Sequence, residues 1–308
     1  KLTAEGGIGL IASRLKIEPP IVKDKGSFML SARRTYADMF LKLSNDENVN
    51  SSKLYFYDIN AKANYSINDK NTLYLSGYFG KDELGYNDLF GFNWGNATAT
   101  VRWNHIVNDK LFSNTSLIYS DFSYNVNVSN DESDFTIASK IRNWNLKQDF
   151  SYYRNAENTF RFGVNILQQS IKPASLEAAA NAAVNSISVD SRQGVEAAAY
   201  LSHEWKPLER LSLIYGLRLT DFMVMGPGTF YSYDSDGEPT DEHVYGSKVI
   251  KHYLNLEPRF SASYMLNNKS SVKASYNRIA QNLHQLTNTT SSLPTDQYVV
   301  SSALIKPQ

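Results

Sequence analysis

Apolar and polar residues alternate with a period of two along most of the chain, in twelve segments separated by polar connections. In 211–219 the alternating apolar positions are Leu211, Leu213, Tyr215, Leu217 and Leu219. The intervening residues of that segment are Ser212, Ile214, Gly216 and Arg218. A period of two places successive side chains on opposite faces of a strand. The pattern predicts strands with one apolar face and one mostly polar face.

The connections between these segments are alternately short and long. Tight turns are predicted at 22–26, 68–71, 108–110, 155–158, 207–210 and 267–270. Longer connections are predicted at 41–52, 81–91, 125–134, 171–189, 225–252 and 283–295. A barrel in the outer membrane has short turns at its periplasmic rim and long loops outside. The predicted fold is therefore all-β, a transmembrane antiparallel up-and-down β-barrel.

The two ends of the sequence also have strand character. The stretch 2–15 is predicted to be one strand, and 298–308 to enter a further one. With these ends the chain would supply about 12–13 strands of a larger barrel.

Composition excludes several other classes of protein. No run approaches the ~18 uninterrupted apolar residues of a spanning helix, which excludes a helical membrane protein. Lys plus Arg and Asp plus Glu are equal at 31 each, so no net charge favours nucleic acid. Cysteine is absent, which excludes disulfides and thiolate metal sites. Tyrosine and tryptophan near segment ends predict two interfacial girdles: Tyr55, Tyr57, Tyr65, Trp103, Tyr119, Trp144, Tyr152, Trp205 and Tyr264.

If the apolar face points outward to lipid, charges of both signs point into the barrel. They are Asp58, Lys62, Arg102, Lys147, Asp149, Arg161, Glu196, Arg218, Glu257, Arg259 and Lys273. Mixed signs favour a wall that pairs with a polar plug over an ion-selective open pore. A wall of unrelated solvated charges is the alternative. The adjacent Arg33 and Arg34 would either anchor a plug or divide between lumen and interface.

The connection 225–252 is the candidate ligand loop because it contains Phe230, Tyr231, Tyr233 and Tyr245. Its acidic run 234–242 fails as a calcium loop at the first and twelfth ligand positions, so no metal site is predicted. In 171–189, the segment 175–184 predicts a short loop helix. The five histidines are scattered, and no catalytic motif is present. We expect no catalytic residues, no cofactor and no enzyme activity.

Two sets of residues resemble a known protein family. The runs 6–15, 20–28 and 31–38 resemble the first barrel hairpin of TonB-dependent outer-membrane receptors of the Bacteroidetes type. The runs 257–261, 275–278, 292–296 and 305–308 resemble the middle of the same barrel. The resemblance implies a 22-strand barrel with an N-terminal plug, of which residues 1–308 would be a barrel segment without the plug.

The resemblance also implies function, place and partners. It implies active import of a scarce nutrient, such as a siderophore, a vitamin, a glycan or a peptide, across the bacterial outer membrane. The implied partners are outer-membrane lipid, the protein's own plug and remaining strands, TonB through an N-terminal part, and in some receptors a surface lipoprotein. A passive porin and a secreted all-β binding protein remain as alternatives. Neither the substrate nor the oligomeric state follows from the sequence.

Overall fold

The computed structural model describes residues 2–129, 134–180, 182–286 and 296–308, and these residues are almost entirely β-structure. The strands of the large sheet are β1 (Thr3–Ile8), β2 (Ala12–Glu18), β3 (Pro20–Val22), β4 (Gly26–Thr35), β5 (Lys53–Asn68), β6 (Asn71–Tyr86), β7 (Phe90–Asn108), β8 (Leu111–Val128), β9 (Phe135–Asn155), β10 (Asn158–Ala178), β11 (Arg192–Leu208), β12 (Leu211–Met225), β15 (Val249–Asn267) and β16 (Ser270–Asn277). Two hairpins are separate from it: β13 (Gly228–Tyr233) with β14 (Pro239–Tyr245), and β17 (Leu283–Leu286) with β18 (Gln297–Val300). Short helices α1 (Asp38–Leu41) and α2 (Glu47–Asn50) lie between β4 and β5.

The large sheet is an antiparallel meander. Its strands pair in chain order from β1 to β16, with β3 beside β4 and with β15 following β12. This confirms the all-β, up-and-down architecture. The twelve predicted segments are found, but the opening stretch 2–15 is two strands, β1 and β2, rather than the one predicted.

Asparagine side chains close several of the tight turns. The Oδ1 atoms of Asn68, Asn108 and Asn267 accept hydrogen bonds from the backbone N–H two residues later, at 2.8–3.0 Å. Asn155 does the same for Glu157 at 3.2 Å. An asparagine side chain that accepts this hydrogen bond stabilises a tight turn of the chain, so the two strands can follow each other without a long loop. These turns lie at one edge of the sheet, the turn end, and the long connections lie at the other, the loop end.

The two faces of the sheet differ as the alternation predicts. On one face, which we call outer, Leu117, Leu146 and Ile166 are neighbours on β8, β9 and β10, and each is nearly half exposed. All nine residues predicted for the girdles lie on this face: Tyr65, Trp103, Tyr152, Trp205 and Tyr264 toward the turn end, and Tyr55, Tyr57, Tyr119 and Trp144 toward the loop end. The opposite, inner face carries the eleven charged residues that were predicted to face the lumen.

Three predicted connections differ from the structure. The connection 81–91 is mostly strand, because β6 and β7 extend to a turn at 87–89 where Asn87 and Asp88 have positive φ. The predicted helix over 175–184 is wrong at its start, because 175–178 belong to β10. Beyond a register shift after Lys172, this segment pairs with 135–138 of β9, and ladder hydrogen bonds outweigh a weak helix propensity. The connection 225–252 contains the β13–β14 hairpin.

The C-terminal residues also differ from the prediction. They do not pair with β16 as another barrel strand; β18 pairs with β17, and 301–308 has no regular structure. Part of the connection 283–295 and part of 125–134, at 287–295 and 130–133, lie outside the described residues. No helix among the residues described is long and apolar enough to cross a membrane.

Candidate functional site

The inner face surrounds a cavity of about 1020 Å³. Strands from β5 to β15 contribute to its wall, so the sheet curves around the inner face. Seven of the charged residues predicted to face the lumen line it: Lys62, Arg102, Lys147, Asp149, Arg161, Arg218 and Arg259. The ladder register places the other four, Asp58, Glu196, Glu257 and Lys273, on the same face. That this wall meets a plug stays a prediction.

Charges on the wall pair with their neighbours on the wall. The Arg33 guanidinium is 2.7 Å from Asp58, the Lys147 ammonium is 3.1 Å from Asp149, and the Tyr200 hydroxyl also donates to Asp149. Arg161 on β10 lies 3.5 Å from Glu204 on the neighbouring strand β11. Lys147 and Asp149 are two residues apart on β9, whereas Arg33–Asp58 and Arg161–Glu204 join neighbouring strands. Residue parity gives the face of these residues, but the pairs between strands depend on the register. Asp58 and Asp149 are thus each paired with a cation of the wall, although the eleven predicted lumen residues comprise seven cations and four carboxylates.

A second group of charges lies where the wall is most buried. Glu257 accepts a hydrogen bond of 2.8 Å from the Thr220 hydroxyl, and the Arg259 guanidinium is 3.4 Å from its other oxygen. Arg218 donates to both Glu196 (3.1 Å) and Thr220 (3.2 Å). Because Glu257 is only 3% exposed, its negative charge depends on these neighbours.

The remaining charges have different surroundings. The Arg102 guanidinium stacks over the Tyr74 ring at 4.4 Å, a cation–π contact. Lys62 and Lys273 form no ion pair with any residue in the described ranges. Arg33 and Arg34 divide between the faces: Arg33 is on the inner face with Asp58, and Arg34 is on the outer face over the Tyr55 ring at 5.3 Å.

Toward the loop end the inner face becomes aromatic and apolar. Phe92 and Trp94 have ring centroids 4.6 Å apart. Farther around the wall lie a buried cluster and its partners: Ile141, Ile171, Phe222 and Val224 with Phe122 and Tyr253. The sequence contained the signal, since these residues occupy the same parity as the lumen charges, but the sequence prediction considered only charged positions. Aromatic walls suit ligands that present rings or apolar faces.

The C-terminal hairpin covers part of this apolar wall. Val300 of β18 belongs to the buried cluster, and Leu283 and Tyr298 pack against it. The Tyr253 hydroxyl donates to the Ser302 carbonyl at 2.6 Å, and the Asn282 amide donates to Glu196 at 3.1 Å. His284, 2.9 Å from the Ser301 hydroxyl, is buried, and that burial lowers its pKa.

The four predicted ligand residues lie on the β13–β14 hairpin at the loop end, but their surroundings differ. Phe230 packs under the Arg192 guanidinium at 4.7 Å and against the buried cluster, so it anchors the hairpin. Tyr245 lies beside Phe230, 5.9 Å between ring centroids, with the Lys248 ammonium 4.4 Å from its ring. Tyr231 and Tyr233 are about 40% exposed. The structure therefore brings together one partly buried pair, Phe230 and Tyr245, and leaves two tyrosines more exposed to solvent.

The acidic run of the same loop forms a turn. The Asp234 carboxylate accepts the backbone N–H groups of Asp236 and Glu238, both at 2.9 Å. Gly237 has a φ of +86°, which a side chain would disfavour. These bonds account for the Asp-rich pattern as turn chemistry.

The family follows from the sequence as a whole. Residues 31–308 match the family model described as "TonB dependent receptor-like, beta-barrel". The chain belongs to this family. No curated protein sequence matches it. The Bacteroidetes type, which was read from short runs such as 6–15, stays a prediction.

Solved structures share the fold at low sequence identity. BauA, the ferric preacinetobactin receptor of Acinetobacter baumannii, superposes with a TM-score of 0.64 at 9% identity over 100% of this chain and 50% of its own. FyuA, the ferric yersiniabactin uptake receptor of Yersinia pestis, gives 0.61 at 11% identity over 94% and 47%. The hemophore receptor HasR of Serratia marcescens, solved with HasA and heme, gives 0.61 at 11% over 90% and 44%. The chain spans about half the length of these receptors.

Proposed function

We propose that this chain is a barrel segment of a TonB-dependent receptor that imports a scarce nutrient across the bacterial outer membrane. The observation that carries the proposal is the family match over 31–308 on a sheet whose outer face is apolar and whose inner face is charged. In this arrangement the lipid meets Leu117, Leu146 and their neighbours. The inner wall then faces a plug and the substrate path. A plug, the remaining strands, TonB and, in some receptors, a surface lipoprotein are the partners that this proposal requires or allows.

The charge pairs of the inner wall support a plugged receptor over a diffusion channel. Asp58 and Asp149 are each paired with a cation on the wall, so charges of both signs lie side by side there, unlike the ring of one sign that lines an ion-selective pore. A plug surface can then form hydrogen bonds with these paired groups without leaving either carboxylate unpaired, and its own acidic groups could pair with Lys62 and Lys273. The lumen residues are thus proposed as plug-facing and not as ligands for substrate.

The substrate site is proposed at the loop end, where the inner face becomes aromatic. BauA and FyuA are named as receptors of ferric siderophores, and HasR as a hemophore receptor. An iron chelate or another ligand with a planar or ring-bearing surface fits a wall that presents Phe92, Trp94 and the exposed Tyr231 and Tyr233. Vitamins, glycans and peptides share part of this chemistry, so the uptake experiment includes all four classes.

The test is uptake by cells that carry the full-length protein, with and without a functional TonB. The probes are radiolabelled ferric siderophores, cobalamin, oligosaccharides and short peptides. We expect accumulation of one class, dependent on TonB and abolished by a protonophore. Equal entry of small solutes of any class in cells without TonB would instead identify a passive porin and overturn the import proposal.

The exposed tyrosines of the β13–β14 hairpin make a sharper test of the ligand loop. Replacing both Tyr231 and Tyr233 with alanine is expected to weaken binding of the imported substrate about tenfold, because two aromatic contacts are lost while the Phe230 anchor remains. Binding to the purified protein is measured by tryptophan fluorescence titration. Tyr153→Ala, an equally exposed inner-face tyrosine near the turn end, is the control and should bind as wild type. Unchanged affinity in the double variant would remove this loop from the site.

A further inference from the structure

The C-terminal hairpin of β17 and β18 separates from the large sheet at a proline. β16 ends at Asn277, and the next N–H group, that of Arg278, donates to the Pro258 carbonyl of β15 at 3.1 Å. Because the N–H and C=O of one residue point the same way in an antiparallel strand, Pro258 has no N–H to offer β16 on this side. Beyond this point the chain forms a separate two-stranded sheet, so contacts other than the ladder of the large sheet set its position.

Such a small hairpin has little stability of its own. Each of its strands has four residues, and an isolated two-stranded hairpin is marginally stable at best in water. Leu283, Tyr298 and Val300 pack it against the buried cluster of the inner wall. Residues 281–286 and 296–302, which we call the strap, therefore have two states: folded on the wall, where they cover part of its apolar surface, and released. Any group that is destabilised in the folded strap shifts this equilibrium toward release.

The strap buries one histidine, His284, in a site that fits only the neutral imidazole. The side chain is 4% exposed, and its Nε2 atom lies 2.9 Å from the Oγ atom of Ser301, which is itself 0% exposed. The Nδ1 atom is also buried and has no hydrogen-bond partner among the described residues. A protonated imidazole carries an N–H on both nitrogens, so protonation would leave a buried donor without an acceptor and a buried charge without a partner.

The surrounding ionisable groups do not supply that acceptor. Those on the strap, on residues 303–308 and on the wall under the strap are Asp296, Tyr298, Lys306, Tyr124, Arg192, Glu196, Lys251 and Tyr253. The two carboxylates, Asp296 and Glu196, each accept a hydrogen bond from another side chain, and within the described part of the chain neither bonds to His284. Burial is therefore the dominant influence on His284, and it lowers the pKa of that residue below its ordinary value.

We propose that the strap is a pH-dependent cover of the apolar wall, folded on it at neutral pH and released when His284 is protonated in a mildly acidic medium. In the released strap His284 meets water and titrates near its ordinary pKa of about 6.5. The folded strap binds the proton less readily, so it is most stable above about pH 6.5 and loses stability as the pH falls below that value. For one proton, the ratio of released to folded strap rises about tenfold between about pH 7.5 and pH 5.5.

Release opens a surface that lies in the proposed substrate path. The strap packs against Ile141, Ile171 and Phe222 and their neighbours, the apolar part of the inner wall toward the loop end. A substrate with an apolar or ring-bearing face then finds this surface free in acidic surroundings and covered at neutral pH. This consequence rests on the proposed function, whereas the release itself needs neither substrate nor TonB.

The test is the distance between two spin labels on the full-length protein, measured by pulsed electron paramagnetic resonance. The labels are attached through Gln297→Cys on the strap and Lys110→Cys in a tight turn of the sheet, both at exposed positions. Residues 1–308 contain no cysteine, and any cysteine elsewhere in the protein is replaced by serine. The test variant is His284→Gln, which stays neutral at every pH. The matched controls are His243→Gln and His252→Gln, both at exposed histidines.

We expect one narrow distance distribution from the folded strap and one broad distribution from the released strap. A fixed low concentration of urea in all samples brings the released fraction into the measurable range. The ratio of broad to narrow signal should rise about tenfold from about pH 7.5 to pH 5.5 in wild type and in both controls, and less than about twofold in His284→Gln. An unchanged ratio in wild type, or an equal rise in His284→Gln, would overturn the proposal, and the second result would assign the release to carboxylates such as Asp296.

A second measurement covers the case in which His284→Gln leaves the strap released at both pH values. The wild-type ratio is then followed through a pH titration. A rise that begins near pH 6.5 and persists in both controls supports His284, and a rise that begins only below about pH 5, where carboxylates titrate, contradicts it. A strap that responds to pH in a protein without TonB-dependent uptake contradicts only the proposed function, and uptake by a protein whose strap ignores pH contradicts only this inference.

Discussion

Replacing Leu146 with arginine is expected to destabilise the folded protein in a bilayer by about 2–4 kcal/mol, the cost of a cation at the middle of a lipid-facing barrel surface. Leu146 is 48% exposed on the outer face, between Leu117 of β8 and Ile166 of β10. The nearer positions of this ladder row, out to Val101 on one side and Ala197 on the other, carry no charge that could neutralise the new one. The acidic residue of the row, Asp221 on β12, lies three strands away from β9. The free energy of unfolding is measured by denaturant titration of the full-length protein in phospholipid vesicles.

The control for Leu146→Arg is arginine at the neighbouring position on the other face. Asn145 and Lys147 point to the inner side of β9, where the wall already carries charges, so Lys147→Arg should change the unfolding free energy by less than about 0.5 kcal/mol. A small effect at Leu146, equal to that at Lys147, would mean that the outer face meets water. That result would contradict the membrane placement and return a secreted all-β protein to consideration.

Most of the sheet could be predicted from sequence because its signals are local. The alternation in 211–219 is a property of consecutive residues, and the Asn68, Asn108 and Asn267 turns need only a side chain and the N–H two residues on. The girdle positions follow from the same alternation once the turns are placed. Each of these features is decided within a few residues, so a single sequence is sufficient.

Errors arose where partners distant in sequence decide the structure. The stretch 175–184 has the composition of a helix, but its first four residues, 175–178, pair with β9 after a register shift, which no local rule reveals. Likewise, 298–308 has strand character, and only the buried cluster around Ile171 and Phe222 makes β18 fold onto the wall in preference to extending the sheet. The sequence predicts a long connection at 81–91, whereas β6 continues to Tyr86 and Lys81 and Glu83 form an ion pair within that strand.

The candidate site was likewise predictable where the signal is local and not where it depends on residues distant in sequence. Parity placed all eleven charged residues on one face, but the pairs depend on register, as between Arg218 and Glu196 on adjacent strands. For the ligand loop, sequence named four aromatic residues and could not separate the anchor Phe230 from the exposed Tyr231. Burial makes that distinction, and burial depends on Arg192, which is 38 residues from Phe230 in sequence and adjacent in space.

Removing the Glu257 carboxylate is expected to cost about 3 kcal/mol of unfolding free energy, because breaking a buried ionic group leaves its partners without compensation. Glu257→Ala leaves the Thr220 hydroxyl, itself 1% exposed, without its acceptor, and it leaves Arg259 without the nearest negative charge. Glu257→Gln should cost less, about 1 kcal/mol, since an amide oxygen still accepts from Thr220. Lys273→Ala, an exposed site on the same face, is the control and should stay within about 0.5 kcal/mol of wild type.

A double-mutant cycle then separates the hydrogen bond from the charge. If Thr220 and Glu257 stabilise each other, Thr220→Val should cost less in the Glu257→Ala background than in wild type, by about 1 kcal/mol or more. The measurement is denaturant unfolding in vesicles, as for Leu146. Additive effects would mean that the two residues act independently, and a cost for Glu257→Ala no larger than that of the Lys273 control would contradict a structural role for this buried pair. Coupling between them would identify this part of β12 and β15 as a fixed support for the inner wall, against which a plug can rest.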